Sequence, residues 1–259
     1  MRRGRVHAAL GAGCLFLVLP VCVVAGMRVP ADASVRLGDA RIDLASGALE
    51  IAGTLTVANG TLEGLTDLRV TPDGQLLLGT GLVRLGGDWD NGGSIDAASA
   101  RVEFIDGSAD SSILGETLFG DLAVTTTFGR RLRLQSGATQ QVAGALVLRG
   151  TGAPLRIDST VPAGTAFLAL ADAGSQDIAN VAVWDVHATG QWLAPGETNQ
   201  GGNANASRWF GAGGAVPPPL VRAPAIIPVD SPWALLALLA GMLLLLRRHV
   251  RTTPLFKGN

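Results

Sequence analysis

The side chains of this 259-residue chain that could do chemistry are mostly carboxylates. Glu103 with Asp106, and Asp110 with Glu116, are acid pairs that could converge on a glycosidic bond, where one carboxyl protonates the leaving oxygen while the other attacks or activates water. Carboxylates scattered at turns also keep a β fold soluble, and spacing alone does not separate the two readings. Asp88, Asp90 and Asp96 beside Asn91-Gly92-Gly93 offer oxygens to a calcium ion, or cap a polar turn. An EF-hand is excluded, because Gly92 holds the fifth loop position and Ser99 the twelfth, where a bidentate Glu is required. The run Arg130-Arg131-Leu132-Arg133 suits an acidic sugar or, more simply, a solvated edge that discourages strand-to-strand aggregation. His187, the one histidine of the body, stands near Trp184 and Trp192 without the partners of a metal site. No nucleophile elbow, phosphate loop, HExxH or paired-cysteine motif is present, and no cofactor is implied.

Composition narrows these options. Cys14 and Cys22 both lie in the N-terminal apolar run, so the rest of the chain holds no thiol for a disulfide, a zinc site or a nucleophile. Residues 27 to 232 carry a net charge of −8. A body of that sign lacks the basic footprint that nucleic acid or an anionic lipid surface needs.

The elements that must position these side chains read as β. Between residues 34 and 170, bursts such as Thr54-Leu55-Thr56-Val57, Leu82-Val83-Arg84-Leu85 and Leu132-Arg133-Leu134 alternate apolar with polar residues and end at Gly, Asn, Asp or Pro. No window of the body sustains a 3.6-residue apolar period. Strands of three to five residues set this closely suit an irregular parallel β-solenoid, whose apolar side chains stack inward along one axis. A β-sandwich or jelly roll is the alternative. The stretch Gly87-Asp88-Trp89-Asp90-Asn91-Gly92-Gly93, followed by Arg101-Val102-Glu103-Phe104, Phe119-Gly120-Asp121-Leu122-Ala123-Val124 and Val142-Ala143-Gly144-Ala145-Leu146, resembles the repeats of large bacterial filamentous surface proteins. That resemblance implies a parallel β-helix and brings no active site with it. The segment from Gln200 to Phe210 resembles the Asn/Gly-rich, Trp-Phe ending of such domains.

The two ends read as transport signals. Arg2, Arg3 and Arg5 precede an apolar run from Ala8 to Ala25, so residues 1–33 are expected to be a secretory signal peptide, cleaved after Gly26 or Ala33. The β-rich surface domain then covers 34–210, and 211–226 is a Gly/Pro linker that holds it away from the membrane. Within 227–251, Ile227-Pro228 and Trp233 precede the unbroken apolar stretch Ala234 to Leu246, closed by Arg247, Arg248 and Arg251; residues 252–259 form a cytoplasmic tail. A helix over Trp233 to Leu246 is about 21 Å long against a hydrocarbon core of ~30 Å, so it spans with local thinning or help from its flanks. The arginines favour the cytoplasmic side and Trp233 the opposite interface. This order resembles the exosortase-type sorting signals of the Ile-Pro-Thr-Leu-x-x-Trp-Gly class (IPTL-CTERM), with Val229, Asp230 and Ala234 in place of Thr, Leu and Gly. The resemblance implies an exosortase-like sorting enzyme as partner, reading Ile227, Pro228 and Trp233 ahead of a transmembrane helix stopped by Arg247 and Arg248. The expected protein is a non-enzymatic, exported surface or matrix component, with extracellular polysaccharide as a further candidate partner. A membrane-tethered polysaccharide lyase or hydrolase is the rival.

Overall fold

The computed structural model describes residues 26–211, and these are all β: nineteen strands and no helix. Residues 1–25 of the expected signal peptide, residues 212–226 of the expected linker, the expected tag residues Ile227, Pro228 and Trp233, and Arg247 and Arg248 lie outside the described residues. Among the described residues no helix is long and apolar enough to cross a membrane.

All strand pairings are parallel, and the chain winds through about eight turns of a three-faced solenoid. One face comprises β1 (Gly26–Val29), the second half of β3 (Arg41–Ile51), the second half of β5 (Thr61–Val70), β8 (Trp89–Asn91), β10 (Asp110–Leu114), β12 (Arg131–Leu134), β15 (Leu155–Ser159) and β18 (Val181–Trp184). A second comprises β2 (Ser34–Arg36), β4 (Thr54–Thr56), β6 (Gln75–Leu77), the first parts of β9 (Ser94–Phe104) and β11 (Thr117–Thr126), β13 (Thr139–Val142), β16 (Ala166–Leu170) and β19 (Val186–Gly190). The third is made by the first parts of β3 and β5, then β7 (Leu82–Leu85), the ends of β9 and β11, β14 (Ala145–Gly150) and β17 (Ser175–Ala179).

Parallel register converts the period-2 alternation into columns. Leu85, Phe104, Val124, Leu148 and Ile178 succeed one another in register, and all five are buried. Leu49, Leu68, Trp89, Ile113 and Leu134 form a second column, with the Trp89 ring 5.4 Å from that of Phe119. Each fully buried Leu, Ile or Val contributes about 1.5–3 kcal/mol by leaving water.

Two details differ from the sequence reading. Strands β3, β5, β9 and β11 run to 10 or 11 residues, longer than the short bursts suggest, because each continues around a corner and serves two faces. The sheet also begins with β1, ahead of the boundary at 34. The two expected cleavage positions treat strand β1 differently: cutting after Ala33 would remove it, together with the buried Val29 beside Ile51, whereas cutting after Gly26 would keep Met27 to Val29.

Corners are tight enough to select residue type. A Cβ on Gly115, whose φ is +75°, would lie 2.0 Å from the Asn91 carbonyl oxygen, so only glycine fits both the left-handed backbone and the close approach. The same corner is tied by Asn91, whose side-chain amide donates to the Glu116 carbonyl at 2.7 Å.

Candidate functional site

The carboxylates named from sequence as acid pairs are each bound into the coil-to-coil ladder. Glu103 accepts from Arg84 Nε at 2.7 Å and from Arg101 Nε at 2.6 Å. Partial burial alone would raise its pKa, but the two guanidinium hydrogen bonds and their charges outweigh that and hold it below the usual carboxylate range. Asp106 instead sits past the end of β9, where its Oδ2 accepts the Thr127 N–H at 2.9 Å. Desolvation opposes ionisation there too, and the hydrogen bonds from Thr127 and Thr126, with the Arg130 charge, lower its pKa nonetheless. Asp110 pairs with Arg133 at 2.9 Å, and Glu116 accepts the Thr139 N–H at 3.3 Å. A general acid needs a proton near neutral pH, and both resolved shifts, those of Glu103 and Asp106, run the other way.

Of the candidate calcium ligands, Asp88 and Asp90 are likewise engaged, whereas Asp96 is exposed. Asp88 Oδ1 accepts the Ser112 N–H at 2.7 Å, and its own N–H donates to Asp67 Oδ1 at 2.7 Å. Asp90 faces Arg69 at 3.4 Å. Among the described residues no group of three His, Cys, Asp or Glu side chains could hold a metal ion.

The arginine run is not a solvated edge. Arg130 is only 2% exposed, and its guanidinium donates to the carbonyls of Ser108 at 3.3 Å, Gly86 at 2.6 Å and Ile105, so one side chain staples three successive coils. Burial lowers its pKa, which the Asp106 charge partly offsets. Arg131 and Arg133 lie on the first face, where register places Arg131 between Asp110 and Arg156, and Arg133 between Ser112 and Asp158. Each reaches diagonally, Arg133 to Asp110 and Arg131 to Asp158, the latter at 2.6 Å. Sequence reasoning missed this because the partners are more than twenty residues away.

His187 meets Asn205 Oδ1 at 2.8 Å and stands edge-on to Phe167, with ring centroids 6.0 Å apart. It belongs to the C-terminal cap. There Asn199 Oδ1 accepts the Val183 N–H at 2.9 Å while its amide donates to the Val183 carbonyl at 3.1 Å. Asn203 and Asn205 donate to Asp185 Oδ1 at 3.0 and 2.9 Å. Trp209, bridged to Leu193, is buried over the end of the core. The Asn/Gly-rich composition was visible in sequence; its role as a substitute strand was not.

Among the residues named from sequence, the fold thus brings Asp110 to Arg133 on the first face, and Asp106 to the same corner as Arg130, beside Phe128. No family model, curated protein or solved structure matches this chain, so the reading of its function rests on its own residues.

Proposed function

We propose that the protein is an exported, non-enzymatic surface or extracellular-matrix component, whose β-solenoid is carried through the envelope by an N-terminal signal and held, then processed, through the exosortase-type tail. One observation supports the scaffold reading over a hydrolase or lyase. The carboxylates placed to act as acid and base are each committed to a guanidinium or a backbone N–H of a neighbouring coil. In this reading the helix after Trp233 is a transient anchor, Arg247 and Arg248 hold its cytoplasmic end, and a membrane-embedded sorting enzyme recognises Ile227, Pro228 and Trp233 on the other side.

The test is intact mass and membrane partition of the protein from its native host, set against a Pro228→Ala, Trp233→Ala double variant. Wild type lacking both termini, with the variant retained in the membrane at full tail length, is the expected result. Wild type and variant that both keep the tail would reduce the tail to a permanent anchor and remove the sorting enzyme as a partner.

A further inference from the structure

Three hollows on the solenoid share lining residues and succeed one another along a single corner as a segmented groove. The first, about 360 Å³, passes Asp67 and Ile105 and reaches Asp106 to Ser108. A second, about 430 Å³, shares those last three residues and continues to Phe128 and Arg130. The third, about 390 Å³, shares Phe128 and Gly129 and ends at Arg156 and Trp184. Each lies within the size range of ligand pockets. Neighbouring coils are ~4.8 Å apart, so a groove crossing successive coils follows the axis and suits a linear polymer better than a compact molecule.

Its lining gathers apolar side chains at one corner. Phe128 is 85% exposed, the most exposed large hydrophobic side chain among the described residues, and Ile105 is 39% exposed. Isolated apolar residues are ordinary at a surface, but here they border one groove with Pro154 and the half-buried Trp184. The diagonal pairing of the first face also changes at this end. Arg133 and Arg131 each reach a carboxylate, whereas Arg156 lies over the Trp184 ring, 4.9 Å from its centroid. Arg156 is exposed and has no carboxylate partner among the described residues. Deeper in the groove, the 2%-exposed Arg130 keeps Nη1 without a hydrogen-bond partner.

We propose that this groove binds a linear polysaccharide carrying carboxylates, with Phe128 against a sugar ring face and the Arg156 guanidinium, resting over Trp184, on a carboxylate. A guanidinium resting over an aromatic ring loses less freedom on meeting a bidentate carboxylate, and the exposed Phe128 ring offers a flat apolar face to a sugar. An extended peptide fits less well. Strands β10, β12 and β15 are paired on both sides, and the outer edge of β18 is met by Asn199 and the backbone of Gln200 and Asn203, so the groove offers no free edge to which a peptide strand could add. The net negative charge of the body acts weakly at this site, because at physiological salt charges beyond about 8 Å are largely screened. At the other end of the groove, Asp67 and Asp106 have oxygen lone pairs left for sugar hydroxyls, which favours a polymer whose acidic rings alternate with neutral ones. The export reading enters only as the reason such a polymer would be met; binding in solution stands or falls without any processing of the tail.

The test uses the full chain in detergent, titrated calorimetrically with a hyaluronan oligosaccharide, in which every second ring bears a carboxylate, and with its carboxyl-reduced counterpart. Wild type should prefer the acidic form. Phe128→Ala and Phe128→Leu should each weaken binding about tenfold, the size of one lost ring stack. Arg156→Gln should abolish the preference for the acidic form, at a similar cost in affinity. Because both side chains are exposed, the thermal midpoint should not move. No binding, equal binding of the two oligosaccharides by wild type, binding unchanged in both Phe128 variants and in Arg156→Gln, or equally tight binding of poly-glutamate would overturn the proposal.

Discussion

The two ends of the solenoid solve the same problem differently. Every parallel stack leaves a row of unpaired N–H and C=O groups on its terminal strands, which is a template for further strand addition. At the C-terminal end the row on β18 and β19 is met by side chains and loop backbone. Asn199 supplies both an acceptor and a donor to Val183, Asn203 and Asn205 gather on Asp185, and Trp209 covers the core. At the N-terminal end β1 pairs only with β3, and β2 only with β4, among the described residues. Val35, Leu37, Ile42 and Leu44 are partly buried there, where later coils bury their counterparts fully. The amide of asparagine carries the same donor and acceptor as a peptide group, so a loop rich in Asn can complete a ladder without offering a new edge of its own.

The sharpest way to break this contrast is Trp209→Ala. Loss of a fully buried tryptophan should cost about 3–5 kcal/mol, read by urea unfolding, and hydrogen exchange in β18 and β19 should accelerate to the level of β1 and β2. Unchanged protection there would mean that the cap does not stabilise the end. Asn199→Ala removes both hydrogen bonds to Val183 and leaves a buried N–H unmet, at about 1–3 kcal/mol. Its effect should be confined to β18 and the cap, a distribution that exchange rates residue by residue would show.

Acid provides a graded version of the same experiment. Hydrogen bonding by Asn205, ahead of the opposing effect of partial burial, with further help from Asn203, the Ala163 N–H and His187, holds the Asp185 pKa below its ordinary value. A depressed folded-state pKa means that the stabilisation is fully present above the unfolded value of about 3.9 and is lost as pH falls through the folded value. The C-terminal cap should therefore loosen on acidification, and Asp185→Asn should flatten that dependence in exchange measured across the acid range. The smallest effect is expected at the opposite end. Arg28 and Glu50 form an ion pair at 3.1 Å with side chains 69% and 39% exposed, so Arg28→Gln should change stability by less than about 1 kcal/mol in chemical denaturation.

How far the chain could be read in advance depended on the range of the interaction. The columns through Leu85 and Phe104 follow from alternation inside single strands, and alternation is local. The cap was half legible: the Asn/Gly-rich stretch ending at Trp209-Phe210 marked an ending, but not that Asn199 would mimic a strand. Arg130 was misread altogether, because three adjacent-looking arginines suggest one solvated patch. Their fates differ according to which carbonyls and carboxylates the preceding and following coils bring alongside. The groove was invisible for the same reason, since Asp67, Asp106, Phe128 and Trp184 share no sequence motif.

By itself, the sequence determined the all-β class, the short alternating bursts that suit a solenoid, and the absence of thiols after Cys22, all properties of composition or of spacing within a few residues. Tertiary structure alone decided that Arg130 staples three coils, that the candidate acids are bound by neighbours, and that one corner collects the exposed Phe128, the half-buried Trp184 and Arg156. Those outcomes depend on register between coils, and register is set by how unequal turns close around a common core.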